Sequence, residues 1–183
     1  VARSIYKDTI EDHREAWSEA VKSIADPEAC PLYKGLSITP QVGLIPVGRN
    51  PISRLWEFAH AETGKQPERR EDGKLEIGEE TGLVFVLLPG GAFRMGAEKP
   101  PREDIEASNN LDSRAEKNEA PVHEVRLAPY FISKYEMTQA QWVRVTGTNP
   151  SYFGPGSAAG DHKHSLLHPV ESLSWVTARE ELF

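Results

Sequence analysis

Histidines are the residues of this sequence whose type and spacing point most directly to chemistry. His162, His164 and His168 lie close together beside Asp161. Neutral imidazole is a good ligand for zinc or copper, so these three histidines are the metal-ligand candidates of the chain. A solvated loop without metal is the favoured interpretation, because the loop is rich in glycine, no cysteine assists and no predicted helix fixes the spacing.

A single cysteine and a run of carboxylates are the other groups that could do chemistry. Cys30 is the one cysteine in 183 residues, so neither an intrachain disulfide nor a cysteine cluster for a metal can form. A reducing compartment fits this composition, and we expect a cytoplasmic location. The acidic residues of segment 98–119 do not follow the spacing of an EF-hand, which favours a solvated loop over a calcium site.

Composition and missing motifs argue against several functional classes. The net charge of -7, with no basic patch, argues against nucleic-acid binding. No apolar run approaches the roughly 20 residues needed to cross a bilayer. A P-loop at Gly91 and Gly96 is strongly disfavoured because Ala97 and Glu98 stand where Lys and Ser or Thr are required. Protein-kinase motifs are absent. We therefore predict neither a nucleic-acid partner nor a membrane partner.

The elements that position these groups begin with an amphipathic helix predicted over residues 8–26. Asp8 and Glu11 have the spacing of a capping box, and Pro27 ends the run. Five apolar residues share one face at helical spacing: Ile10, Trp17, Ala20, Val21 and Ile24. We assign residues 1–27 to an amino-terminal helix or linker.

Residues 28–82 are predicted to form a small β-hairpin extension. Proline and glycine recur throughout, and Leu44–Val47 and Leu55–Ala59 are candidate strands joined by a proline-containing turn. Trp56 and Phe58 alternate with charged or small neighbours, which is typical of a strand buried on one face only.

Residues 83–183 form a third region with further short strands. Leu83–Leu88 is almost continuously apolar and predicts a strand buried on both faces. A Pro-Gly-Gly turn then returns Ala92–Met95 as an antiparallel partner. The patterns of Val122–Leu127 and Tyr130–Ile132 predict two more strands.

Two capped helices are predicted in this third region. Thr138 and Gln141 have capping-box spacing at the start of the first helix, and Trp142 and Val145 are its expected core contacts. Ser174 is predicted to cap the second helix.

Ordered sequence blocks cover about half of the chain. They are PGGAFRMG (89–96), EAPVHEVRL (119–127), FISKYEMTQAQW (131–142) and HPVESLSW (168–175). Together they resemble the amino-terminal half of a formylglycine-generating enzyme or sulfatase-modifying factor domain. Residues 83–183 are accordingly interpreted as a partial sulfatase-modifying-factor-like domain.

The resemblance implies an α+β fold, a truncated formylglycine-generating-enzyme-type variant of the C-type-lectin-like fold with few helices and much irregular structure. In catalytic relatives a copper-binding pair of cysteines oxidises a substrate cysteine with oxygen, and calcium sites are present. Those groups lie downstream of the last matching block. We therefore predict no catalytic residue, no cofactor-binding residue and no cofactor here, with Trp142 and Trp175 as core aromatics.

The predicted function is that of a truncated domain protein without oxidase activity as it stands. The alternative is a noncatalytic binding or regulatory module, an accessory part of a bacterial serine/threonine-kinase fusion protein, which the stretch from Trp17 through LWEFAH resembles. The expected partner is the missing carboxy-terminal half or a separate protein. We also predict marginal stability, with Leu83–Leu88 and Trp142 left exposed.

Overall fold

The computed structural model describes residues 2–100, 110–157 and 164–182. Its elements in chain order are α1 (Ala2–Tyr6), α2 (Arg14–Ala25), β1 (Leu44–Arg49), β2 (Trp56–His60), β3 (Val84–Leu88), β4 (Gly91–Met95), β5 (His123–Leu127), β6 (Tyr130–Ser133), α3 (Gln139–Thr146) and α4 (Trp175–Leu182). Few helices and short antiparallel strands confirm the predicted α+β class. Among the described residues, no helix is both long and apolar enough to cross a membrane.

The chain divides into two compact units. The larger comprises Val1–Leu87 and Phe131–Phe183, and the smaller comprises Leu88–Tyr130. This division is not the one predicted at residues 1–27, 28–82 and 83–183, and those boundaries stay predictions.

The predicted helix over residues 8–26 is interrupted. A π-helical turn at Lys7–Glu11 separates α1 from α2. Thr9 in this turn is fully buried. Its carbonyl oxygen accepts a hydrogen bond from Trp17 Nε1 at 2.9 Å, and its hydroxyl oxygen accepts one from the Gly43 amide at 3.1 Å. Both hydrogen bonds engage Thr9 where the regular hydrogen bonds between successive helical turns are interrupted. Such an interruption is typical of a π-bulge.

The predicted capping box at the helix start is wrong, whereas the predicted apolar face is confirmed. Asp8 accepts a hydrogen bond from the Ser4 hydroxyl at 2.8 Å, and α2 begins after His13 without a side-chain cap. Trp17, Ala20 and Ile24 are buried in the core, and Ile10 and Val21 pack against it.

A four-stranded sheet in the order β1-β2-β3-β6 carries the main core. β2 pairs antiparallel with both β1 and β3. Phe58 at its centre is fully buried and stacks on Trp17, with ring centroids 5.3 Å apart. The expectation that β2 is buried on one face only is wrong, because Glu57 and Ala59 are each 1% exposed.

The Tyr33 side chain links two neighbouring strands of this sheet, β2 and β3. Its hydroxyl donates to the Leu87 carbonyl oxygen at 2.9 Å and accepts from the Trp56 amide at 2.8 Å. Burial raises the pKa of Tyr33 to about 12, so the hydroxyl stays protonated as a donor. On β3 itself Val84 and Leu87 are buried and the remaining residues are half-buried, less than the full burial predicted for Leu83–Leu88.

The smaller unit contains a two-stranded ribbon. β4 pairs with β5, with Gly91 opposite Leu127 and Met95 opposite His123. The prediction that this segment returns as a partner of the preceding apolar strand is therefore wrong. Gly90 shows the local reason: a side-chain carbon there would lie 2.6 Å from the Leu127 carbonyl oxygen, so glycine lets the two backbones approach.

The two predicted helix caps are confirmed. The Gln141 amide donates to the Thr138 hydroxyl at 3.2 Å, and the Thr138 amide donates to Gln141 Oε1 at 3.0 Å. At α4 the Thr177 amide donates to the Ser174 hydroxyl at 3.0 Å. Capping depends on neighbours in sequence, which explains why short spacing motifs located both helices.

Three burial predictions for residues near the carboxyl end need correction. Val145 is 43% exposed rather than a core contact, and Trp175 is 73% exposed rather than a core aromatic. Trp142 is 2% exposed, which agrees with its prediction as a core aromatic and contradicts the prediction that truncation leaves it exposed. The predicted marginal stability is untested, but neither Trp142 nor Leu87 supplies the exposed surface expected to cause it.

Candidate functional site

The structure describes two of the three histidine candidates, His164 and His168. His162 and its neighbour Asp161 lie outside the described residues. The rings of His164 and His168 lie 5.5 Å apart, edge to face. His168 Nδ1 lies 3.1 Å from the Ser165 amide nitrogen and 3.0 Å from the Ser165 carbonyl oxygen, so it faces the backbone of that loop. Across the described ranges, no group of three His, Cys, Asp or Glu side chains is placed to hold a metal. The three-histidine site stays a prediction.

These two imidazoles belong to an aromatic cluster that we define as Tyr152, Phe153, His164 and His168. Phe153 contacts Tyr152 with a centroid separation of 5.0 Å and His164 with one of 5.5 Å. Tyr152 is 65% exposed. Exposed rings of this kind offer flat surfaces on which an apolar or planar group can stack.

Glu171 fixes one side of the aromatic cluster. Its carboxylate accepts hydrogen bonds from the Phe153 amide at 2.8 Å and from the Ser172 hydroxyl at 2.6 Å. The hydrogen bonds from Ser172 and the Phe153 amide lower the pKa of Glu171. The carboxylate therefore remains ionised and holds the loop, which suits positioning better than proton transfer.

The sequence-based interpretation missed a buried charge cluster centred on Glu57, which we call the Glu57 cluster. Glu57 Oε1 accepts from Asn50 Nδ2 at 2.9 Å and from Lys134 Nζ at 2.5 Å, while Oε2 accepts from Arg69 Nη2 at 2.6 Å. The side chains of Arg69 and Lys134 are only 20% and 19% exposed. Two cations and one carboxylate are thus largely withdrawn from water.

The electrostatics of the Glu57 cluster favour the charged form. Burial alone would raise the pKa of Glu57, but the hydrogen bonds from Lys134, Arg69 and Asn50 outweigh it and hold the pKa below its usual range. A carboxylate that is ionised and occupied on both oxygens is a poor general base. The cluster is therefore structural. A glutamate between Trp56 and Phe58 was the available signal, because a charge inside an apolar strand needs a partner when both faces are buried.

The copper chemistry implied by the family resemblance does not fit the donors of this chain. Cu(I) prefers soft thiolate ligands, and a cysteine pair is needed for the implied site. Cys30 is the only cysteine and is 3% exposed. Its sulfur accepts a hydrogen bond from Arg49 Nη1 at 3.2 Å. No step of copper oxidation can be built on these residues.

Comparison with known proteins gives a consistent family signal. The sequence pattern of the family described as "Sulfatase-modifying factor enzyme 1-like domain" matches residues 74–180. A chaperone protein LppX from Paenibacillus barcinonensis is 34% identical over 96 residues, which are 52% of this chain and 24% of that protein. A formylglycine-generating enzyme from Thermomonospora curvata is 36% identical over 72 residues, which are 38% of this chain and 20% of that enzyme. No solved structure matches significantly. The alignments thus span about a quarter or less of the length of these curated relatives.

Proposed function

This chain belongs to the family of sulfatase-modifying factor enzyme 1-like domains, and on that premise we propose that it builds part of the scaffold of such a domain without oxidising a substrate by itself. The observation that supports this proposal is the number and position of the cysteines. Cys30 is the only cysteine, lies outside residues 74–180 and is buried. We accordingly assign no catalytic residue and no copper cofactor to the chain, and we propose separately that it holds no calcium.

The proposed scaffold role includes a surface for further residues of a family domain. α4 has no buried residue among those described, and it presents Trp175 and Val176 at 73% and 48% exposure. Large apolar side chains exposed together are typical of a face that another segment covers. We propose that the remainder of a family domain, present in the longer relatives, packs against α4.

An activity assay tests the absence of oxidase function directly. The chain is incubated with Cu(I), oxygen and a cysteine-containing peptide substrate, and aldehyde formation is followed by mass spectrometry. The formylglycine-generating enzyme of Thermomonospora curvata is the positive control. We expect no conversion by this chain. Turnover of the peptide cysteine above the enzyme-free background would overturn the proposal.

Metal analysis tests the cofactor part separately. The purified chain is dialysed against zinc, copper or calcium and its metal content is measured at neutral pH. We expect less than one equivalent of each bound metal. One equivalent of zinc or copper that is lost in His164→Ala and His168→Ala would instead support the histidine site.

A second candidate function is a noncatalytic binding or regulatory module. The relative named as a chaperone aligns with more of this chain than the relative named as an enzyme does, which favours a protein partner. The aromatic cluster offers exposed rings for such a partner. An accessory role in a kinase-fusion protein is the specific form of this proposal.

A client assay separates the module from the inert scaffold. Aggregation of a denatured client protein is followed by light scattering with and without the chain. Suppression that is lost in Tyr152→Ala supports the module, with Tyr6→Ala as a control at another exposed tyrosine. If the unaltered chain does not suppress aggregation, the proposal of a binding module is contradicted. A cytoplasmic location, proposed from the low cysteine content, is tested by cell fractionation.

A further inference from the structure

We infer that residues 1–73 are an integral part of the family domain in this protein, held on a binding surface formed by β3, β6 and α3. These residues, which we call the amino-terminal extension, precede the family match at residues 74–180. The surface that holds them is defined by Phe131, Lys134 and Arg144, together with the exposed edge that β3 would otherwise present. The inference adds an intramolecular partner to the proposed scaffold and does not depend on whether that scaffold is catalytic.

The first contact is the strand pairing. β2 lies in the extension and β3 in the matched region, and they pair antiparallel with Phe58 opposite Phe85. Without β2, β3 would be an edge strand with unpaired backbone groups. The Tyr33 hydroxyl of the extension adds a hydrogen bond to the Leu87 carbonyl oxygen at 2.9 Å. The extension therefore completes the sheet of the matched region.

The second contact is apolar. Phe58 is fully buried between Trp17 of its own extension and Phe131 of the matched region, with ring centroids 5.3 Å away in each case. One aromatic side chain thus belongs to both parts of the core. An interface built around a buried aromatic anchor resembles a domain core more than a contact with a flexible linker.

The third contact is the Glu57 cluster. Glu57 and Arg69 come from the extension, and Lys134 comes from the matched region, where it follows β6. The Lys134 ammonium lies 2.5 Å from Glu57 Oε1. Both partners of this ion pair are largely buried, so loss of either one would leave a charge without this counterion inside the contact between the two parts.

The fourth contact closes the segment that joins the two parts. Arg144 on α3 donates from Nη1 to the Thr63 carbonyl oxygen and from Nη2 to the Glu79 carbonyl oxygen, both at 2.5 Å. Gly64 lies at the crossing point, where a side-chain carbon would be 2.8 Å from Arg144 Nη1. One guanidinium thereby binds the backbone at both ends of the connecting segment, Thr63 and Glu79. The segment is therefore fixed to α3 and does not behave as a flexible linker.

A cleavage experiment on the full chain tests the inference. A protease recognition sequence is inserted between Glu71 and Asp72, which are both exposed in a turn. The folded protein is cleaved there and passed over a size-exclusion column in native buffer at about micromolar concentration. We expect the two fragments to elute together. Separate elution of the fragments would overturn the inference.

A matched pair of variants in the same cleavable protein shows which contacts hold the fragments. Lys134→Met removes the buried ion pair, and we expect at least about tenfold weaker association of the cleaved fragments. Lys65→Met removes a cation that pairs with Glu80 at side-chain exposures of 79% and 71%, and we expect no change. If Lys134→Met does not fold before cleavage, Arg144→Met replaces it. Equal association of the variant and control proteins would contradict the assigned contacts. Because no step measures oxidase activity, failure of this inference and failure of the proposed function remain distinguishable.

Discussion

Glu57 shows what a single buried charge does for this molecule. The carboxylate is 1% exposed and meets Lys134 across 77 positions of sequence. Burying three charged groups is unfavourable, and the cluster persists because each cation meets the carboxylate and Asn50 adds a further donor. The cluster therefore mainly determines which segments of the chain pack together. Its contribution to the net free energy of folding is the smaller effect.

Glu57→Gln should lower the free energy of unfolding by about 3 kcal/mol, because Lys134 and Arg69 would keep their shielded positions without an anion. Urea denaturation at neutral pH, followed by circular dichroism, measures the change. Glu80→Gln at the exposed Lys65 pair is the control and should leave the unfolding midpoint unchanged. Equal effects of the two substitutions would show that the Glu57 charge is not structurally important.

The same variant has a pH signature. The pKa of Glu57 lies below its usual value in the folded protein. Its contribution to stability is therefore complete above the unfolded pKa of about 4.3 and is lost as the pH falls through the lower folded pKa. Unfolding curves recorded between about pH 6 and about pH 3 should show a shallower acid loss for Glu57→Gln than for the unaltered protein.

At this residue scale the sequence could identify groups but not their pairing. Glu57 lies between Trp56 and Phe58, and strand alternation placed it on the solvent side. That interpretation failed because the face of β2 that carries Glu57 is also covered, by Arg69 and Lys134. Strand periodicity reports one buried face, whereas the second face is decided by segments distant in the chain.

Elements whose signals are local were predictable. α3 begins where the Thr138–Gln141 spacing predicts it, since both capping hydrogen bonds join residues three positions apart. The amino-terminal helix behaves differently. Its break at Lys7–Glu11 involves the Gly43 amide, 34 positions from Thr9, and no local pattern encodes that contact.

The partner of β4 was likewise a nonlocal choice. The Pro-Gly-Gly turn predicted a hairpin with the preceding strand, because a short turn usually joins adjacent antiparallel strands. β4 instead pairs with the following strand, β5, across the long connection of residues 96–122, and Phe93 lies opposite Val125 in the register. Turn residues indicated where the chain changes direction but not which strand it would meet.

Thr138→Ala should lower the free energy of unfolding by about 1 kcal/mol, because the Gln141 amide loses its capping acceptor. Thr138→Ser keeps the hydroxyl and should restore most of the stability. Thermal unfolding of the three proteins gives the comparison, and hydrogen exchange at the Gln141 amide localises it. An unchanged exchange rate in Thr138→Ala would mean that the cap does not protect α3.

On the scale of the whole molecule, the family signal and the burial pattern carry different information. The ordered blocks located the family region, and the match at residues 74–180 confirms it. The blocks did not reveal which of their aromatic residues this chain covers. Trp142 and Trp175 were both expected in the core, yet their exposures are 2% and 73%. Burial depends on which other segments are present, and a sequence block does not contain them.

This contrast gives a measurement that reports on the whole fold. Of the four tryptophans, Trp17, Trp56 and Trp142 are at most 4% exposed, so Trp175 alone should be accessible to a quencher in solution. Acrylamide should quench the unaltered protein partially, and Trp175→Phe should remove most of that quenching without shifting the thermal midpoint, because α4 buries none of its described residues. Trp142→Phe is the buried control: it should leave the amount of quenchable emission unchanged, and so raise its share of the total emission, while lowering the midpoint. If quenching persists in Trp175→Phe, at least one of Trp17, Trp56 and Trp142 is reached by the quencher, contrary to their burial. If quenching is absent from the unaltered protein, α4 is already covered, and the proposed packing face for the rest of a family domain is occupied by something else.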